Sequence, residues 1–140
     1  MKDRTFLDTN IFIYSFDPSS PSKARRASSL IREAVEKRKG VVSYQVVQEF
    51  FNVALRRFAT PMTVPEANHY LMTVFRPLLS VHSSERLYNQ ALQITDAHRL
   101  SWYDSLIIAA AVESDSDVLL TEDLQDGQQF GRTVVRNPFV

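Results

Sequence analysis

The chain contains no cysteine, which removes disulfides, thiolate nucleophiles and zinc sites of the cysteine type, and suits a reducing compartment. Glycine is almost as scarce. Gly40, Gly127 and Gly131 are the only three, and none belongs to a phosphate-binding loop of either common kind. No Gly-x-Ser-x-Gly elbow is present, so the usual setting of a nucleophilic serine is missing. Neither sign of charge is in excess, with 16 lysines plus arginines against 16 aspartates plus glutamates. Domains that hold nucleic acid by net charge have a pI above about 9; here any basic face must be local. No apolar run approaches the roughly 20 residues of a membrane helix. The opening MKDRTFLD carries charges where a signal peptide needs an apolar core. A soluble cytoplasmic protein is the expectation.

What is present suits one domain over residues 1–140: 44% hydrophobic and 23% charged residues, enough to bury a core without a metal or disulfide staple. Arg4–Leu7, Val41–Val42, Leu78–His82, Val118–Leu120 and Thr133–Arg136 read as short strands. Between them lie helical patterns: a turn over Asn10–Phe16, then Pro21 to about Arg38, with Ser20 as cap and Gly40 as stop. Ser43 is placed to cap a helix with apolar Val46, Val47, Phe50, Phe51 and Ala54. Thr63 to Glu66 has capping-box spacing before a helix to about Phe75. Ser84–His98 is helical, and Ser101–Val112 is apolar nearly all round, the mark of a buried helix. Alternation of strand and helix predicts an α/β domain with a mostly parallel sheet of four to five short strands, covered on both faces.

The stretch TFLDTNIFIY sets one carboxylate, Asp8, inside an apolar run, and burying an unpaired carboxylate costs several kcal/mol. In a parallel sheet, ligands gather outside the carboxyl ends of the strands, and several acids fall there. Asp8 follows the first strand. Asp123, in LLTED, follows the fourth, with Glu122 and Asp126 nearby. Asp104 opens the buried helix, and Glu49 lies early in the helix after the second strand. Each has a local alternative. Asp8 also suits a turn or cap, Asp104 matches box spacing with Ser101, and Asp123, Glu122 and Asp126 also suit a solvated turn. Glu49 faces away from its helix's apolar stripe. Taken together, acids converging on one strand edge would raise one another's pKa unless a cation compensates. Oxygen donors without cysteine or paired histidines suit Mg²⁺ or Mn²⁺ over zinc, and carboxylate-held Mg²⁺ commonly serves phosphoryl chemistry.

In order along nearly the whole chain, FLDTNIFIY, SYQVVQEFFNV, WYDSLIIAAAV and LLTED resemble the four motifs of the PIN domain family, and within it the VapC-like toxins of toxin–antitoxin pairs. The resemblance implies a three-layer α/β/α sandwich and a Mg²⁺- or Mn²⁺-dependent endoribonuclease. It further implies a homodimer inhibited by a small antitoxin. Carried over by position, Asp8, Glu49, Asp104 and Asp123 become the acidic set that holds metal, with Asp8 and Asp104 in direct contact. Asn10 and Thr121 would orient the carboxylates, and Glu122 is a spacer. Asp126 reads as part of the Gly127 turn.

For an RNA substrate, candidate phosphate contacts are Lys23-Arg25-Arg26, Lys37-Arg38-Lys39 and Arg56-Arg57, with Arg56 beyond Glu49 on a similar side of its helix; most such runs are solvated faces. Phe50, Phe51, Phe58, Tyr70, Phe75 and Tyr88 read as core, or as a dimer or antitoxin surface. His69, His82 and His98 lack metal-ligand spacing. A dehalogenase-like phosphatase would need an aspartate where Asn10 stands, and a receiver domain needs a late lysine, whereas none follows Lys39. The rivals that remain are a PIN-like module that binds RNA or protein without cutting, and a solitary housekeeping nuclease.

Overall fold

The computed structural model describes residues 3–140. Among them β1 (Thr5–Leu7), β2 (Gly40–Ser43), β3 (Leu79–Val81), β4 (Val118–Leu120), β5 (Gln129–Phe130) and β6 (Thr133–Arg136) form one sheet in the order β3-β2-β1-β4-β6-β5. Every neighbouring pair is parallel except β5 with β6. Phe6 and Leu7 of the central strand are fully buried, as a strand covered on both faces requires. The chain builds outward through β2 and β3, then crosses back to β4 on the other side of β1. That reversal opens a crevice at the carboxyl ends of β1 and β4.

Six strands exceed the four to five expected. The extra one, β5, pairs only two residues with β6, too short to show a period of two. The hairpin turns through Gly131, whose φ of +59° favours glycine at the first loop position.

The helices are α1 (Thr9–Tyr14), α2 (Pro21–Lys37), α3 (Tyr44–Ala54), α4 (Val64–Tyr70), α5 (Arg76–Leu78), α6 (Glu85–His98) and α7 (Trp102–Glu113). Helix α7 lies across β2 and β4 with α6 packed on it, while α1 packs against both α2 and α3. Residues Ser105 to Ala111 of α7 are all buried, as its even hydrophobicity predicts. The Thr63–Glu66 capping box forms both of its hydrogen bonds. Ser20 and Ser43 occupy their cap positions without side-chain cap bonds. Between α4 and α5, Leu71–Phe75 is a π-helical turn, so the helix runs to Leu78 rather than stopping at Phe75.

Phe75 thereby joins a cluster centred on Phe50, whose ring meets those of Phe12, Phe16, Phe51, Phe58, Tyr70 and Phe75 at centroid separations of 5.1–6.4 Å. Tyr88 lies elsewhere, half-exposed beside Trp102.

Gly40 is not the stop of α2. Arg38 adopts the left-handed conformation there and donates its N–H to the Ala34 and Val35 carbonyls. Gly40 instead permits close packing, since a Cβ would lie 2.5 Å from Ala34 Cβ and 2.8 Å from Leu78 Cδ2. Gly40→Ala should therefore destabilise the fold by about 2 kcal/mol through overpacking. Urea unfolding checks this, and a neutral result would mean that α2 moves away without penalty.

Candidate active site

Asp8 caps α1. Its Oδ1 accepts the Thr9 N–H at 2.7 Å, and its own N–H donates to Leu120 O across the crevice at 3.0 Å. The capping role open to it is real, yet it uses one oxygen only. The other, Oδ2, accepts from Thr121 Oγ1 at 2.8 Å. The residue is 6% exposed, and this burial pushes its pKa up to about 7, against the hydrogen bonds from Thr121 and Thr9 and helped by the charges of Asp123 and Glu49.

Thr121 is the junction of the crevice. Its hydroxyl donates to Asp8 and accepts from Asn10 Nδ2 at 3.2 Å and from the Asp123 N–H at 3.0 Å. One proton and two lone pairs are all a hydroxyl has. Asn10 Nδ2 also donates to Asp123 Oδ2 at 3.0 Å.

On the β2 side, Thr9 Oγ1 donates to Glu49 Oε1 at 2.6 Å, which turns a glutamate that periodicity sets on the outer face of α3 back towards the crevice. Gln45, one turn earlier on the same helix face, donates to Glu49 Oε2 and to Tyr103 O, both at 3.2 Å.

Asp8, Glu49 and Asp123 are thus joined through Thr9, Thr121 and Asn10. Asp104 stands apart, connected only through its neighbour Tyr103. Ser101 Oγ accepts the Asp104 N–H at 3.2 Å, but no reciprocal bond from the Asp104 carboxylate forms among the described residues. That carboxylate is half-buried at the start of α7 and is not consumed by the cap.

The donor set is all oxygen, the kind Mg²⁺ and Mn²⁺ take. Among the described residues no ion pair reaches Asp8, Glu49, Asp104 or Asp123, and Asn10 Oδ1 is buried with no partner. No three acidic or imidazole side chains among the described residues converge as ligands, because hydroxyls lie between the carboxylates. Mg²⁺ keeps several waters and is usually held by one or two carboxylates, so the residues present suit it.

Thr9 and Gln45 escape a reading of the sequence. Thr9 sits within DTN but is silent until its partner 40 residues away is known, and a Gln–Glu pair at i, i+4 is common on any helix. Glu122 does more than space the motif. It pairs with Lys23 Nζ at 2.6 Å and accepts from Tyr14 Oη, while Lys23 lies over the Tyr14 and Phe139 rings at 4.6 and 5.6 Å. These contacts brace the Thr121–Asp123 loop from the side of α2.

Much of the basic character is likewise engaged. Arg26 donates to Pro138 O, and Lys37 and Lys39 pair with Glu33 and Asp3. Arg56 is exposed in the turn after α3, which ends at Ala54, and so is not on the helix with Glu49. Asp126 Oδ1 accepts the Asn137 N–H at 2.8 Å, a turn-stabilising role, and Gly127 has a φ of +88°.

Residues 5–127 match the family model described as PIN domain. No curated protein matches the chain by sequence. Among solved structures, a toxin–antitoxin complex from Klebsiella pneumoniae is similar with a TM-score of 0.68 at 19% identity, over 96% of this chain and 97% of the other. FitAcB from Neisseria gonorrhoeae gives 0.64 at 17%, over 96% and 98%. A Mycobacterium tuberculosis toxin that cleaves the sarcin-ricin loop gives 0.61 at 20%, over 82% and 86%.

Proposed function

Because the chain belongs to the PIN domain family, we propose that it is a Mg²⁺- or Mn²⁺-dependent endoribonuclease and the toxin of a toxin–antitoxin pair, acting as one nuclease domain over residues 1–140. The observation that carries this reading is a buried carboxylate, Asp8, linked to two more acids with no basic side chain paired to any of them among the described residues. Such a cluster is stable when a divalent ion supplies the positive charge. No helix among the described residues is long and apolar enough to cross a membrane, in keeping with a cytoplasmic site of action.

A bound divalent ion would supply Lewis acidity towards the scissile phosphate and acidify the attacking water. Asp8, Glu49, Asp104 and Asp123 would hold it, with Asp8 and Asp104 touching it directly. Thr121 and Asn10 fix the Asp8 and Asp123 carboxylates, and Thr9 and Gln45 fix Glu49. The apolar floor beneath Asp8 limits water behind the carboxylate and so strengthens its pull on a cation. Arg56 is a contact for the RNA backbone, and cleavage should weaken as salt rises.

The similar chain described as a sarcin-ricin loop cleaving toxin and the one from a toxin–antitoxin complex support RNA as substrate and a small antitoxin as partner. A homodimer fits the same reading. The test is cleavage of structured RNA with Mg²⁺ or Mn²⁺, comparing wild type with Asp8→Asn and Asp104→Asn. Both variants should lose activity while staying folded; undiminished cutting would defeat the mechanism.

Thr121→Val tests the outer contacts. The variant keeps the volume but deletes a hydroxyl with three hydrogen bonds, and it should weaken Mn²⁺ binding by about 10–100-fold, the usual effect of losing an outer-shell partner. Calorimetric titration measures this without turnover. Unchanged affinity would show that Asp8 and Asp123 need no such support.

A further inference from the structure

A second feature lies beside the acidic crevice. Between α3, α6 and the first turn of α7 there is a pocket of about 350 Å³ whose lining includes Tyr44, Gln48, Tyr88, Trp102 and Tyr103. Three of these residues are open to solvent: Tyr103 is 63% exposed, Tyr88 43% and Tyr44 37%. They sit at the pocket's mouth rather than in the core. The lining carries amides and hydroxyls but no charged side chain. Ser43 Oγ, at the end of β2, is buried there without a hydrogen-bond partner. Gln45 ties the pocket to the acids, since its amide reaches both Glu49 Oε2 and Tyr103 O.

Planar rings, neutral hydrogen-bonding groups and no cation do not suit a phosphate. They suit a flat, uncharged group with polar edges. Single-stranded RNA offers such groups in its unstacked bases, which proteins hold by stacking on aromatic side chains and bonding to their edges. We infer that this pocket is a nucleobase subsite, which takes one unpaired base next to the phosphate held at the acidic crevice; in this it rests on the nuclease reading. Tyr103 is the stacking ring and Gln48 the group for the base edge, while Tyr44 walls the pocket edge-on to His82 at 4.5 Å. The subsite would select unpaired over paired RNA, because a base within a helix cannot enter it.

Trp102 is the only tryptophan of the chain and lines this pocket, so its fluorescence reports occupancy. The experiment titrates the full chain, without metal, with single-stranded octaribonucleotides and with an octamer of abasic ribose phosphate. Oligonucleotides with bases should quench Trp102 to saturation, and the abasic one should not. Tyr103→Ala should weaken the quench about tenfold, equivalent to about 1.4 kcal/mol, and Tyr103→Phe should restore it. Equal quenching by the abasic octamer, binding without quenching, or no binding overturns the inference. A Trp102 signal that changes with protein concentration alone and is lost in Tyr103→Ala also overturns it, because the face is then a contact between two copies. Quenching without cutting by wild type would refute the nuclease and leave the base subsite standing; cutting without quenching would do the reverse.

Discussion

Asp8→Asn should abolish RNA cleavage, by at least about a hundredfold given what metal-assisted charge stabilisation supplies, and should at the same time make the metal-free protein more stable above pH 7. The two effects share one cause. Burial raises the Asp8 pKa to about 7, from an ordinary value near 3.8. Between those values the unfolded chain releases its proton while the folded chain retains it. Stability therefore falls as pH rises through that window, and above it the folded state carries the whole penalty, roughly 4 kcal/mol by linkage.

An asparagine is neutral throughout, so the variant loses this slope. It also puts a donor where one carboxylate oxygen accepts, and conflict with Thr9 N–H or Thr121 Oγ1 offsets about 1–3 kcal/mol of the gain. The net at pH 8 is a stabilisation of about 2 kcal/mol. Urea unfolding at pH 5 and pH 8 measures it. Mn²⁺ should stabilise the wild type and do much less for the variant. A wild-type profile flat between pH 4 and 7 would show that Asp8 is not held in an unfavourable charged state.

Phe50→Ala should be the most damaging core substitution, at about 3–5 kcal/mol. Phe50 is fully buried and is the ring that six others share. Its removal opens a space between α1, α3 and the π-helical turn, elements that cannot all close on it at once. Domains have only about 5–15 kcal/mol of stability, so a large share is lost. The site should suffer too, because Phe50 adjoins Glu49 and packs edge-on against Phe12 of α1, which carries Thr9 and Asn10. Calorimetry should show a fall of more than 10 °C in Tm. Phe50→Leu, which keeps most of the volume, should recover over half of it. A loss under 1 kcal/mol for Phe50→Ala would mean that the cluster repacks.

The fold was largely legible because alternation of strand and helix depends on local pattern. Asp8 declared itself as a charge inside an apolar run, and Thr63 and Glu66 as a capping box. What stayed hidden depends on contacts remote in sequence. The π-helical turn at Leu71–Phe75 brings Phe75 into the aromatic cluster, a contact that the local pattern does not announce. Arg38 adopts a left-handed conformation two residues ahead of the glycine that seemed made for it, because Gly40 is needed where Ala34 and Leu78 crowd the backbone. Glu49 reads as a surface residue by periodicity, and only motif likeness drew it out; its bond to Thr9 then explains its inward turn. Asp104 shows the limit of spacing arguments. Half of its capping box forms, and the free carboxylate could be seen only once the side chains were placed.

The Asp8–Thr121 bond spans 113 residues, and β4 is the strand that must dock on β1 to make it. Emergence from the ribosome proceeds at about 5–20 residues per second. A nascent chain that ends short of Thr121 has α1 and α3 but nothing to secure the far wall of the crevice. Such a fragment should not hold the Asp8 carboxylate as the full fold does. The crevice is therefore completed abruptly, once β4 has left the ribosome and docked on β1, and not by stages along the chain.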